Sequence, residues 1–199
     1  MFIKSFAATV AAAFILSVGS LAIAQDAKMG PELEAVTMTS GEAAEIDAKA
    51  DKAIAIIATD TARSERYLGK AVGILICPDI RKGGLVLGLE SGACVMRKAG
   101  TSTSYWQTGS VSFGAAIGIS EYSYALMFLN AEKLEAFESQ DQFKLGADAS
   151  VAVIERGVSA EVDTENLKRD IVAFIFDESG AYIGASLEAS SFDQIEIKD

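Results

Sequence analysis

The sequence predicts an α+β domain: N-terminal helices packed on an extended, curved antiparallel β-sheet, as a partial barrel or a sandwich. Three observations lead there. An Ile/Ala stripe at helical spacing follows residue 41. From Ala71 onward the apolar rhythm switches to period two for most of the chain. Glycines recur inside those runs, and glycine in a strand marks a bend, a bulge or a close approach.

The chain has 199 residues, enough for one domain with a real core. Residues 1–24 read as a secretory signal peptide. Lys4 is their only charge, an apolar run follows from Phe6 to Val18, and Ala22-Ile23-Ala24 is a small-x-small cleavage pattern. Residues 25–40 are polar, contain Pro31 and read as a flexible leader. The folded domain is expected over 41–199.

Thr39 and Glu42 have capping-box spacing, and Ile46, Ala50, Ile54 and Ile57 recur as one helical face, so a helix is expected at 41–58 and a shorter one at 61–69. The stripe reads as core packing, with a membrane-lying face as the functional alternative. Val72–Cys77 reads as a strand ended by Pro78, and Arg81–Gly84 as a turn. Leu85–Glu90 and Ala93–Arg97 follow as two further strands of a meander. Ser110–Ile119 and Tyr122–Leu129 alternate cleanly. Asn130 caps a helix at 131–138. Phe143–Val153 joins a helix-like to a strand-like run through Gly146-Ala147-Asp148, where Asp148 is expected to brace a tight turn. Strands at 157–162, 171–176 and 182–188 complete the sheet.

Composition excludes several functions. Histidine is absent, which removes Ser-His-Asp and Cys-His nucleophile systems and every histidine metal site. The formal charge is −11; without Lys4, 16 basic residues face 28 acidic ones, or −12. So acidic a domain is no general nucleic-acid binder, since phosphate neutralisation supplies most of that affinity. No phosphate loop, dinucleotide fingerprint or nucleophile elbow is present. Asp148, Asp163 and Asp170 do not follow calcium-loop spacing, so no metal is expected. No catalytic residue or cofactor is assigned. Cys77 and Cys94 fall on the first and third strands of the expected meander, toward opposite ends, and are therefore expected as buried, unpaired thiols.

Four residues are candidate lipid contacts. Arg81 and Lys82, on the expected turn with Gly83 and Gly84, suit a phosphate, although turn charges are commonly just solvated. Lys70, just before the first strand, is placed to join them. Trp106, beside Tyr105, suits a membrane interface or a core. The small face of Gly114, Ala116 and Gly118 suits either a tightly packed neighbouring layer or a groove for an acyl chain.

The order of motifs resembles the SYLF lipid-binding domain family. The matching pieces are Ala71–Pro78 (AVGILICP), Lys82–Gly84 with Gly88 and Gly92, Ser112–Gly118 (SFGAAIG), Phe128–Asn130 (FLN), Phe143–Ser150 (FKLGADAS) and Gly184–Ser190 (GASLEAS). The resemblance is closest to exported bacterial members made of little else. It implies binding of phospholipids or phosphoinositides and supplies no catalytic residues. In eukaryotic members it also implies actin association, which is not expected of an exported protein. The expected protein is a non-enzymatic lipid-binding module of the bacterial envelope, in the periplasm and peripheral to a membrane. The alternative is a periplasmic structural or interaction module that meets envelope proteins without lipid.

Overall fold

Thr39 opens the first helix by reciprocal capping. Its amide and hydroxyl donate to Glu42 Oε2 at 2.8 and 2.9 Å, and the Glu42 amide donates back to Thr39 Oγ1 at 3.3 Å. These bonds hold the Glu42 carboxyl below its ordinary value. The helix α1 spans Ser40–Asp60, and α2 spans Ala62–Lys70. In this computed structural model the described residues are 36–60, 62–84, 87–113, 118–140, 142–145, 148–155, 169–180 and 190–199. All belong to one compact unit, Ala35–Asp199. The expected signal peptide, most of the leader, and the expected strands at 157–162 and 182–188 lie outside the described residues. Among the described residues, no helix is long and apolar enough to cross a membrane.

Among the described residues, nine strands form one sheet: β1 Thr37–Met38, β2 Gly73–Gly84, β3 Leu87–Lys98, β4 Thr101–Phe113, β5 Gly118–Phe128, β6 Gln142–Lys144, β7 Val151–Glu155, β8 Ile171–Gly180 and β9 Ser191–Ile197. Their order is β1-β9-β4-β3-β2-β5-β8-β7, with β6 also paired to β9. Most pairs are antiparallel, while β1–β9 and β7–β8 run parallel, and the sheet does not close into a barrel. The α+β class therefore holds. β2, β3 and β4 form a meander, and β5 returns beside β2, which is a Greek-key order.

Three expectations about strands change. Arg81–Gly84 is not a turn but the second half of β2, in register with Ser91–Gly88 on β3. The expected 110–119 strand is two strands: β4 ends at Phe113, and β5 begins at Gly118 on the far side of β2. Gly114 and Ala116 of the expected small face lie outside the described residues. Thr37–Met38, assigned to the leader, instead joins β9 in parallel.

Alternation along the central strands sorts side chains to two faces. Ile76, Val95, Ala125, Met127, Val172 and Phe174 pack with Ala50, Ala53 and Ile57 of α1 and Tyr67 of α2. The α1 stripe is thus core, as its spacing indicates. Leu75, Met96, Trp106, Leu126 and Phe128 face the other way. They pack under α3, Ala131–Ser139, through Leu134 and Phe137. Asn130 caps α3 by accepting from the Glu132 amide at 2.9 Å. The helices are not confined to the N-terminal side of the sheet, because α3 supplies the second cover.

Candidate functional site

The site is built on the outer halves of β2–β5, beyond a bulge in β2. Pro78 has no amide to give to a ladder, and β2 lies between β3 and β5. The strand accommodates it by slipping register between Cys77 and Ile80 against β5 and between Ile76 and Arg81 against β3. Asp79 takes a left-handed conformation there (φ 51°). Its amide donates to Ser123 Oγ at 3.2 Å, and its carboxylate meets Lys49 Nζ of α1 at 2.8 Å. The bulge is therefore pinned from both the sheet and the helix, and β2 resumes past it.

Cys77 and Cys94 are joined by a disulfide, with their Cα atoms 4.1 Å apart. The expectation of two unpaired thiols is corrected. The expected strands 85–90 and 93–97 are, over their described residues, one strand, β3, Leu87–Lys98, and it lies directly beside β2. The register Ile74↔Arg97, Leu75↔Met96, Ile76↔Val95 puts the two cysteines opposite one another.

Past the bulge, β2–β5 carry different chemistry on their two faces. On the face shared with α1, the helices stop short. Leu89, Val111 and Ile119 are exposed there at 62%, 52% and 78%. Leu89 is opposite Val111 on one side and Gly83 on the other, and Gly83 is in turn opposite Ile119. The result is an apolar row crossing four strands, Ile119–Gly83–Leu89–Val111. Arg81, two residues before Gly83, shares this face. Its Nε lies 3.3 Å from Glu121 Oε2, and its side chain is 77% exposed. So open an ion pair contributes about 0–1 kcal/mol and leaves Arg81 available to a stronger anion.

On the opposite face the same strand ends bury polar groups. Lys82 and Glu90 stand opposite each other in the β2–β3 ladder, and both are buried. Tyr122, Ser120 and Thr108 are buried beside them, and Tyr124 donates to Thr108 Oγ1 at 3.0 Å. Burial pushes the Glu90 carboxyl above its ordinary value; the Tyr122 and Ser110 hydroxyls and the Lys82 charge offset this in part. Those groups lie near the carboxylate, yet neither Oε1 nor Oε2 meets a partner in good hydrogen-bond geometry. Burial likewise raises the Tyr124 phenol far above its usual range.

The four expected lipid contacts do not come together. Arg81 is exposed beside the apolar row. Lys82, its chain neighbour, points inward and is buried, so it is withdrawn as a headgroup contact; alternation along a strand separates the two side chains. Trp106 is fully buried, with its ring 4.3 Å from Phe137 and its Nε1 donating to Ser104 Oγ at 2.8 Å, so it is core and no membrane contact. Lys70 is exposed at the end of α2, near the start of β2, and Arg81 is eight residues up that strand, about 25 Å at roughly 3.3 Å per residue. Sequence reasoning missed Leu89, Val111 and Ile119, because period-two alternation places them on one face of a strand without showing that this face is left uncovered.

The carboxylates act as braces. Asp148 Oδ2 accepts from the Lys144 amide at 2.8 Å, which is the turn role expected of it. Asp170 accepts from the Ser150 hydroxyl at 2.9 Å, the Ser150 amide at 3.3 Å and the Asn130 side chain at 3.2 Å. Burial works against its charge, but these bonds and the Lys133 charge outweigh it and hold the carboxyl below its ordinary value. Asp163 lies outside the described residues.

A large mixed sheet covered by helices on both faces, with an open apolar row at its strand ends, defines an α+β domain with one exposed apolar strip. Residues 109–196 match the family described as Las17-binding protein actin regulator (Ysc84), the SYLF type of domain. The match covers somewhat under half of the chain and takes in Val111, Ile119 and the segment from β5 to Glu196 in β9. It bears out the SYLF resemblance. No curated protein matches the chain.

Proposed function

We propose that this is a non-enzymatic lipid-binding protein of the bacterial envelope that meets phospholipid or phosphoinositide-type headgroups through the outer halves of β2–β5. The observation that carries the reading is the exposed row of Leu89, Val111 and Ile119 around Gly83, with Arg81 beside it. A flat apolar strip rimmed by a cation suits the boundary between headgroups and acyl chains. The SYLF match supports lipid as the partner class. The Cys77–Cys94 bridge supports residence in an oxidising compartment, as does the signal-like sequence of residues 1–24. Actin, named in the family's description, is not the proposed partner, because an exported protein would not meet it.

Vesicle flotation tests the reading. The protein should float with phosphatidylglycerol-containing vesicles at low salt, and Leu89→Asp with Val111→Asp should lower the bound fraction several-fold without changing the melting temperature. Arg81→Glu should weaken binding to anionic vesicles most. No flotation with zwitterionic or anionic vesicles would sink the proposal. Undiminished binding of the double variant would move the contact elsewhere. Co-purification with an envelope protein and no lipid in native mass spectrometry would favour the protein-interaction alternative, for which the same apolar row would serve.

A further inference from the structure

Period-two alternation ties the two faces of these strand ends together. Leu89 and Glu90 are consecutive, as are Arg81 and Lys82, so each strand end carries one residue out to the open face and the next into the buried one. Glu90 and Lys82 are directly opposite in the ladder, at 3% and 5% exposure. Both Glu90 carboxylate oxygens are buried with no partner in good hydrogen-bond geometry, as is Ser120 Oγ. An ionised carboxylate held this way is costly, and a neutral one much less so. We propose that Glu90 and Lys82 form a proton-operated latch: with Glu90 neutral the ends of β2–β5 close tightly, and with Glu90 ionised they loosen and change how the Leu89–Val111–Ile119 row is presented. This concerns the regulation of the lipid-contact face and rests on the lipid-binding reading to that extent.

The groups facing Glu90 can be named from each neighbouring strand. Among the described residues, β2 supplies Lys82, β5 supplies Tyr122 and Tyr124, and β4 supplies Thr108 and Ser110, which do not titrate. Lys82, Tyr122 and Ser110 favour the carboxylate, while burial opposes it and prevails. The sign follows. For a carboxyl raised on folding, the contribution to stability is complete below the unfolded value of 4.5 and is lost as pH rises through the folded value. Mild acid should therefore tighten the strand ends, opposite to the behaviour of a salt-bridged surface carboxylate.

Hydrogen-exchange protection factors, measured on the full chain from pH 5 to neutrality, test the latch without any lipid. Protection at Arg81–Gly84 and Gly88–Ser91 should fall as pH rises between the unfolded and the folded value, by up to about tenfold per unit, and level off above the folded value. Glu90→Gln should hold these amides at high protection throughout. Tyr122→Phe, which removes a hydroxyl favouring the carboxylate, should move the midpoint to higher pH. A flat parent profile, or a Glu90→Gln profile that titrates like the parent, overturns the proposal. Flotation with phosphatidylglycerol vesicles at the two pH extremes forms a separate arm. Absence of binding at both would defeat the lipid reading, while the protection profile would still decide the latch.

Discussion

Phe137 stands on Trp106, ring centroid to ring centroid at 4.3 Å, and joins α3 to the middle of the sheet. The same phenyl ring meets Phe128, Phe143 and Phe192 at 5.2, 5.1 and 5.6 Å. One side chain thus closes an aromatic cluster drawn from β4, β5, β6 and β9. Phe137→Ala should cost about 3–5 kcal/mol in urea unfolding, because four strands lose a shared partner and the hole cannot collapse. A cost below about 1 kcal/mol would contradict this packing.

Trp106 is the single tryptophan, and it is fully buried. Its emission should be blue and should not shift when vesicles are added. A clear shift with retained folding would return Trp106 to the membrane contact from which its burial removes it.

The Cys77–Cys94 bridge closes a span of 17 residues. Denatured, unreduced protein should show no free thiol on labelling. The double change to alanine should lower stability by about 3 kcal/mol, the usual scale for a loop of this length. Two reactive thiols in protein folded under oxidising conditions would refute the pairing.

Gly92 lies against the bulge: a Cβ there would sit 2.3 Å from Ile80 Cδ1. Gly92→Ala should therefore destabilise by about 1–3 kcal/mol through overpacking. Shortening the neighbour in the double variant with Ile80→Val should recover part of the loss. Full additivity of the two changes would argue against the contact.

Asp170 shows the more familiar pH behaviour. Its carboxyl is lowered on folding, so its contribution is present above the ordinary aspartate value of 3.8 and is lost as pH falls through the folded value. Asp170→Asn should cost roughly 1–2 kcal/mol at neutral pH from its lost hydrogen bonds, and the two proteins should converge in strong acid. A constant difference across that range would show that charge plays no part.

Much of the fold was legible. The capping pair Thr39 and Glu42, the α1 stripe, the Asn130 cap and the Asp148 brace all follow from local chemistry over three or four residues. What was hidden depends on pairing between distant strands. Pro78 reads as a stop, and only the anchoring of Asp79 by Lys49 and Ser123 makes it a bulge inside a longer strand. That misreading placed Lys82 on a turn and Cys94 one strand too far from Cys77. β9 escaped notice because Phe192 and Ile195 point to opposite faces, so no same-face alternation marks it. For the site, Arg81 was identified from its charge. The exposed row was not, because period-two spacing says that a residue faces one side of a sheet but not whether a helix reaches far enough to cover it.

The seam at β9 sets an order on assembly. This last strand pairs with β1 at Thr37–Met38, with β4 at Tyr105–Gly109 and with β6 at Gln142–Lys144. Three segments far apart in the chain are therefore joined by one strand that follows all of them in sequence. Until β9 has been made, β1, β4 and β6 lack the strand they share, so these three segments reach their places only once residues 191–197 are available. Such dependence on distant contacts makes for slow folding and brittle tolerance of truncation, with an unclosed β4 edge as the first place for one unfinished chain to pair with another.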